Sequence, residues 1–161
     1  MKTRLILILL AFAMIGCRHV DDERIPPCAV YVPFKTVGEW HLYGVAGAGS
    51  YRNFIKQDLV PAGYPYTALS ATGFGGVLLI GDVLGNFVAY DLACPVECRA
   101  DVRIRVNQDD LTAECPVCHS VYDIVTNYGS PIGGPAVEDA YGLRRYFVGP
   151  GAQGEYMVIS R

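Results

Sequence analysis

Two pairs of cysteines, separated by a short stretch of alternating residues, constrain this chain more than any other feature of its sequence. The segment 92–123 holds four of the six cysteines in the pattern C-x3-C, sixteen residues, C-x2-C, and these are Cys94, Cys98, Cys115 and Cys118. Each short pair fits a turn, and strands between the pairs would return the second turn beside the first. The pattern therefore predicts a site where four thiolates meet at a metal ion or an iron–sulfur cluster.

The same four thiols also have a purely structural use. In an oxidising compartment they can form two disulfides instead of binding a metal. Pro95 and Pro116 each follow the first cysteine of a pair, and their fixed φ stiffens both turns. Paired short spacings are typical of zinc and cluster sites. The spacing therefore favours a metal centre, with disulfides as the alternative.

The first sixteen residues predict export. Lys2 and Arg4 precede an apolar run over residues 5–15, which is shorter than the roughly 20 residues that a membrane-spanning helix needs. The run ends in Met-Ile-Gly-Cys17, which resembles the lipobox of bacterial lipoproteins, where the cysteine becomes the acylated first residue. An ordinary cleaved signal or an uncleaved anchor is the alternative. We expect an exported protein, bound to the membrane through lipid on Cys17 in the bacterial cell envelope, periplasmic or associated with the outer membrane.

Charge and composition describe the remaining chain. Removal of residues 1–16 leaves 11 Lys and Arg against 16 Asp and Glu, a net charge of −5, so a basic surface for nucleic acid is not expected. Residues 17–28 carry charges and prolines without an apolar period, which predicts a tether in front of a domain at 29–161. Cys28, which neither the lipid nor the metal site requires, is expected to be a buried or free thiol.

Residues 29–161 predict an all-β domain. Eighteen Gly, ten Pro and eleven Tyr, with few uninterrupted helix-forming runs, favour short strands and many turns. Residues 51–60 fit either a short helical turn or an irregular loop. Seven or more short strands imply an antiparallel barrel or sandwich. The expected strands are 29–32, 40–45, 77–80, 86–92, 101–107, 111–114, 121–125, 143–148 and 156–160.

The segment from Gly76 to about Val148 resembles a Rieske-type iron–sulfur domain. The run AYDLACP resembles the approach to that family's first cluster loop, and CPVCHSVYD resembles the second, usually C-P-x-H-G-S-x-F/Y-D. The later SPIGGPA resembles the loop that covers the cluster, and Leu143–Tyr146 resembles the strand beneath it. The resemblance implies a Rieske-like barrel or sandwich with a small metal- or cluster-binding subdomain at about 92–126.

The family's histidine ligands are replaced in this chain. A Rieske cluster is held by two Cys and two His, but Val96 and Cys118 stand in the two His places. Three ligand sets therefore compete: all four cysteines, His119 in place of Cys118, or a lost metal site whose cysteines pair as disulfides. Glu97 is a further candidate carboxylate ligand, although an exposed acid in a turn is the simpler interpretation.

The ligand type determines the expected function. The resemblance favours a [2Fe–2S] cluster held by all four cysteines, which implies one-electron transfer with a redox partner at a potential near the plant-ferredoxin value of about −400 mV. In respiratory members of the family an exposed histidine ligand meets quinol. This chain lacks the family's histidine ligands, so quinol oxidation is not expected. Zinc would instead give a non-redox envelope lipoprotein whose loops are held together by four thiolates. No catalytic triad is apparent, so the sequence predicts an electron-transfer or binding protein more than an enzyme.

Overall fold

A computed structural model describes residues 19–161 of the chain. The predicted signal segment 1–16 and the predicted lipidation site Cys17 lie outside the described residues. None of the helices within 19–161 combines the length and the apolarity needed to cross a bilayer.

Eleven strands and two short helices make up the described part of the chain, with one 3-10 turn at Lys56–Asp58. In chain order they are β1 (Val30–Phe34), α1 (Val37–Tyr43), β2 (Tyr51–Phe54), β3 (Ala71–Thr72), β4 (Val77–Gly81), β5 (Phe87–Asp91), β6 (Arg105–Asn107), β7 (Thr112–Glu114), β8 (Val121–Asp123), β9 (Ser130–Gly133), α2 (Pro135–Asp139), β10 (Arg145–Gly149) and β11 (Met157–Ser160).

Seven strands form one antiparallel sheet in the order β2-β4-β5-β10-β11-β1-β3. The Lys56 N–H, just after β2, donates to the Thr72 hydroxyl in β3 at 3.3 Å, so the two edge strands approach one another and the sheet nearly closes into a barrel. The remaining four strands form a small sheet in the order β6-β7-β8-β9. The prediction of an all-β antiparallel barrel or sandwich with a small subdomain is confirmed, and the larger sheet is a nearly closed barrel.

Strand β4 separates two hydrophobic cores. All five of its residues are buried, and successive side chains of a strand point to opposite faces. Leu78 and Ile80 pack in a core that contains Cys94 and Cys115. The other face, through Leu79, packs in an aromatic core around Phe34 and Trp40. Burial on both faces of the strand accounts for the unbroken apolar sequence of residues 77–80.

The segment 101–107 confirms the predicted alternation but not the predicted strand length. Val102 and Ile104 are buried, whereas the side chains between them reach the surface. Regular pairing with β7 begins only at Arg105. Before that point the chain pairs with the end of β5, since the Ile104 N–H donates to the Leu92 carbonyl at 2.8 Å. This change of partner links the small sheet to the barrel.

The prediction of a strand at 40–45 is wrong, because this region belongs to helix α1. The Thr36 side chain accepts a hydrogen bond from the Glu39 N–H at 3.1 Å, and the Glu39 carboxylate accepts one from the Lys35 N–H. Thr-x-x-Glu is a helix-start signal of the capping-box type. Trp40 then packs edge-to-face on Phe34, with ring centroids 4.9 Å apart. Residues 51–60, which fitted a helical turn or a loop, form β2 followed by the 3-10 turn.

The segment expected to be a tether packs against the domain. Ile25 is completely buried, and the Arg144 side chain donates to the carbonyls of Ile25 and Glu23 at 2.8 and 2.6 Å. Asp21 pairs with Tyr141 in an isolated bridge. A single isoleucine in a charged segment has no apolar period, so the sequence pattern gave no sign of this contact. We call residues 20–28 the docked segment.

Replacement of Ile25 by alanine tests whether the docked segment belongs to the fold. Ile25→Ala should lower the free energy of unfolding by about 2–5 kcal/mol, the usual cost of truncating a buried isoleucine. Leu42→Ala, at a side chain that is 67% exposed, is the control and should change stability by less than about 0.5 kcal/mol. Urea denaturation measures both variants. Equal stabilities of the two would mean that residues 20–28 are a free linker in solution.

Candidate metal centre

Two turns bring three cysteine sulfurs together between the barrel and the small sheet. The first turn, residues 94–98, follows β5, and the second turn, residues 115–119, connects β7 to β8. The sulfurs of Cys94, Cys115 and Cys118 lie within 4.8 Å of one another, and those of Cys94 and Cys118 are 3.6 Å apart. A tetrahedral ion with metal–sulfur bonds of about 2.3 Å sets its sulfurs about 3.8 Å apart. The three thiols therefore fit three corners of one tetrahedral site.

Three other predicted ligand candidates lie outside this group, namely Cys98, His119 and Glu97. The Cys98 sulfur faces the Arg24 carbonyl oxygen in the docked segment, at 3.7 Å. His119 is 72% exposed, and its Nδ1 lies 2.9 Å from the Glu114 carboxylate. The structure thus brings together three of the four cysteines proposed from the sequence, and it joins neither Cys98 nor His119 to them.

Backbone geometry explains why Cys98 and His119 stay outside. The Cys98 N–H donates to the Cys94 carbonyl at 2.8 Å, and the His119 N–H donates to the Cys115 carbonyl at 3.0 Å. Both residues have a left-handed backbone, with φ of 50° and 56°. Each therefore ends its turn in the same conformation, and its side chain leaves the turn away from the sulfurs. The spacing of the cysteines does not predict this left-handed backbone or the resulting direction of the side chains.

The environments of Cys94 and Cys118 differ. Burial raises the pKa of Cys94 to about 12, although the Glu97 N–H and the Tyr122 hydroxyl, 3.6 Å from the sulfur, favour the thiolate. Burial would also raise the pKa of Cys118, but hydrogen bonds from the Ser120 hydroxyl and N–H outweigh it and lower this pKa. The Ser120 oxygen lies 3.1 Å from the Cys118 sulfur. A bound cation would stabilise both thiolates and displace the Cys94 proton.

A buried carboxylate positions the first turn. Asp91 at the end of β5 is fully buried, and it accepts hydrogen bonds from both N–H groups of 74–75, from the Ala93 N–H and from the Tyr146 hydroxyl. Four donors compensate its desolvation and hold the backbone directly before Cys94. Asp91 was not among the predicted site residues, although it stands three positions before the first cysteine in AYDLACP.

The second turn is supported by the segment that follows β8. The Ser120 hydroxyl accepts a hydrogen bond from the Ala136 N–H at 3.1 Å. Gly134 has φ of 71°, and a side chain there would approach the His119 carbonyl oxygen to 2.7 Å, so only glycine allows this close contact. The segment SPIGGPA, which resembles a cluster-covering loop, forms β9 and the start of α2, and it lies directly against the second turn.

Similarity to known proteins is found among solved structures. No family model matches the chain, and no curated protein matches its sequence. Among solved structures, the chain is similar to the ferredoxin of carbazole 1,9a-dioxygenase from Nocardioides aromaticivorans IC177, with 17% sequence identity and a TM-score of 0.42, covering 81% of this chain and 96% of that one.

Thiol alkylation tests the difference between Cys94 and Cys118. In reduced, metal-free protein at pH 7, iodoacetamide should modify Cys118 before Cys94, because the thiolate reacts and only Cys118 combines partial exposure with a lowered pKa. Raising the pH toward about 12, the pKa of Cys94, should reduce the difference between the modification rates of the two cysteines. Mass spectrometry of timed samples measures both rates. Faster modification of Cys94 at pH 7 would contradict the assigned environments.

Proposed function

We propose that this chain is a metal-binding protein whose all-β domain holds one tetrahedral ion between the two turns. The observation that carries the proposal is the convergence of three sulfurs within 4.8 Å. Thiolates are ligands that zinc and iron both accept in tetrahedral sites. In this proposal Cys94, Cys115 and Cys118 are ligands. The proposed ion is zinc, which has no redox chemistry of its own.

The proposed ion has a structural role. Cys94 follows a strand of the barrel, whereas Cys115 and Cys118 belong to the small sheet. Three strands of that sheet are only three residues long, so few backbone hydrogen bonds hold each strand in place. Ligands from both sheets would tie the small sheet to the barrel, so that metal binding contributes directly to folding stability.

A [2Fe–2S] centre for one-electron transfer is the second candidate. The motifs around both turns resemble the two cluster loops of Rieske-type domains, which supports a Rieske-like assignment of the fold. The Tyr122 hydroxyl near Cys94 and the Ser120 hydroxyl near Cys118 are hydrogen-bonding groups of the kind that tune cluster potentials. This candidate requires a fourth donor, since each of two irons takes two protein ligands. Cys98 would supply it only after rearrangement of the first turn.

We also propose that the protein is exported and anchored by lipid on Cys17. Support comes from the basic start, the apolar run and the lipobox-like sequence before Cys17. The docked segment begins at Val20, and the next residue, Asp21, already donates its N–H to the Ala140 carbonyl. Only residues 18 and 19 would then separate the lipid from the folded domain. The domain would be held at the membrane surface and not on a long tether.

Metal analysis of protein purified without oxygen tests these candidates. We expect one zinc ion per chain, no visible absorption, and loss of the metal in Cys115→Ser, because this change removes a buried ligand. Cys28→Ser, outside the sulfur group, is the matched control and should retain the metal.

Two irons per chain with visible absorption and acid-labile sulfide would favour the cluster over zinc. Metal-free protein with intact disulfides, detected by mass spectrometry, would contradict both metal-binding candidates.

A further inference from the structure

The two ligand-bearing turns repeat one another residue by residue. Both begin Cys-Pro-Val, and in each the fifth N–H donates to the first carbonyl. In each the fifth residue, Cys98 or His119, has a left-handed backbone. When the turns are aligned by these features, Cys94 corresponds to Cys115 and Glu97 corresponds to Cys118.

This alignment changes which residue of the first turn stands in a ligand position. Cys118 is the fourth residue of its turn, and its sulfur joins the group. The fourth residue of the first turn is Glu97, and its N–H already donates toward the Cys94 sulfur. Ligands three residues apart are a common arrangement in tetrahedral zinc sites. The C-x-x-E pair of the first turn, Cys94 and Glu97, therefore occupies the same two turn positions as the C-x-x-C pair of the second turn, Cys115 and Cys118.

We infer that Glu97 supplies the fourth ligand, a carboxylate oxygen, to the ion held by Cys94, Cys115 and Cys118. The inference rests on the proposed metal-binding function. Carboxylate oxygen is an ordinary zinc ligand. Glu97 is half-buried, and within residues 19–161 its carboxylate makes no hydrogen bond or ion pair that would hold it elsewhere. A glutamate side chain turns about three bonds, which gives the carboxylate the freedom to meet an ion.

The competing donors would need larger changes. Cys98 contacts the Arg24 carbonyl in the docked segment, and His119 is paired with Glu114 at the surface. Both sit at the left-handed fifth position, so either could ligate only if its turn changed its backbone conformation. Glu97 requires no such change in the turn. An oxygen ligand also favours a single ion over a [2Fe–2S] cluster, whose ligands are cysteine and histidine.

X-ray absorption at the zinc edge of the zinc-loaded full chain counts the ligands directly. The wild-type protein should show three sulfurs and one oxygen, and Glu97→Cys should show four sulfurs. Glu97→Gln should weaken Co²⁺ and Zn²⁺ binding by at least about tenfold, since even residues that only support a ligand typically contribute about 10- to 100-fold. Glu114→Gln removes one acidic charge from the residue directly before Cys115, and its metal affinity should stay within about twofold of wild type.

Several outcomes would overturn the assignment. Four sulfurs in the wild type that fall to three in Cys98→Ser would identify Cys98 as the ligand. Three sulfurs in Glu97→Cys, or equal affinities of Glu97→Gln and Glu114→Gln, would remove Glu97 from the site. The Cys115→Ser variant distinguishes failure of the metal-binding function from failure of the Glu97 assignment. If that variant binds zinc like wild type, the metal-binding function itself fails, whereas loss of zinc there with unaffected Glu97 variants refutes only the fourth ligand.

Discussion

Burial of two thiols at the junction of the barrel and the small sheet is the constraint on which the candidate site depends. Cys94 and Cys115 are completely buried and belong to the same hydrophobic core as Leu78 and Ile80. A thiolate in such surroundings is costly, as the raised pKa of Cys94 indicates. Cys94 therefore either keeps its proton or shares a cation, and the nearby sulfurs of Cys115 and Cys118 favour the cation.

The site is built from backbone turns more than from a cavity. Each turn starts with a cysteine after a strand and closes with a hydrogen bond to that cysteine's carbonyl. Asp91 holds the first turn from the barrel side, and Ser120 links the second turn to the segment after β8. Because these supports come from different sheets, a bound ion and the packing of the two sheets would stabilise each other.

The docked segment connects the site to the beginning of the chain. Its Arg24 carbonyl lies against Cys98. Its Ile25 side chain is buried in the domain, and the Ile25 carbonyl accepts a hydrogen bond from Arg144. Cys98 thus has a structural contact in the folded chain, consistent with its position outside the sulfur group. The same contact brings the start of the described chain beside the first turn.

Local sequence determined the features that depend only on period and turn chemistry. The apolar run of β4, the alternation of Val102 and Ile104, and the placement of two cysteine pairs in turns were all predictable. Tertiary structure decided which side chains meet: it buried Ile25, and it separated Cys98 from Cys94. The reason is physical, since spacing along a chain fixes how far a residue can reach, whereas the backbone conformation at the end of a turn fixes the direction in which its side chain leaves.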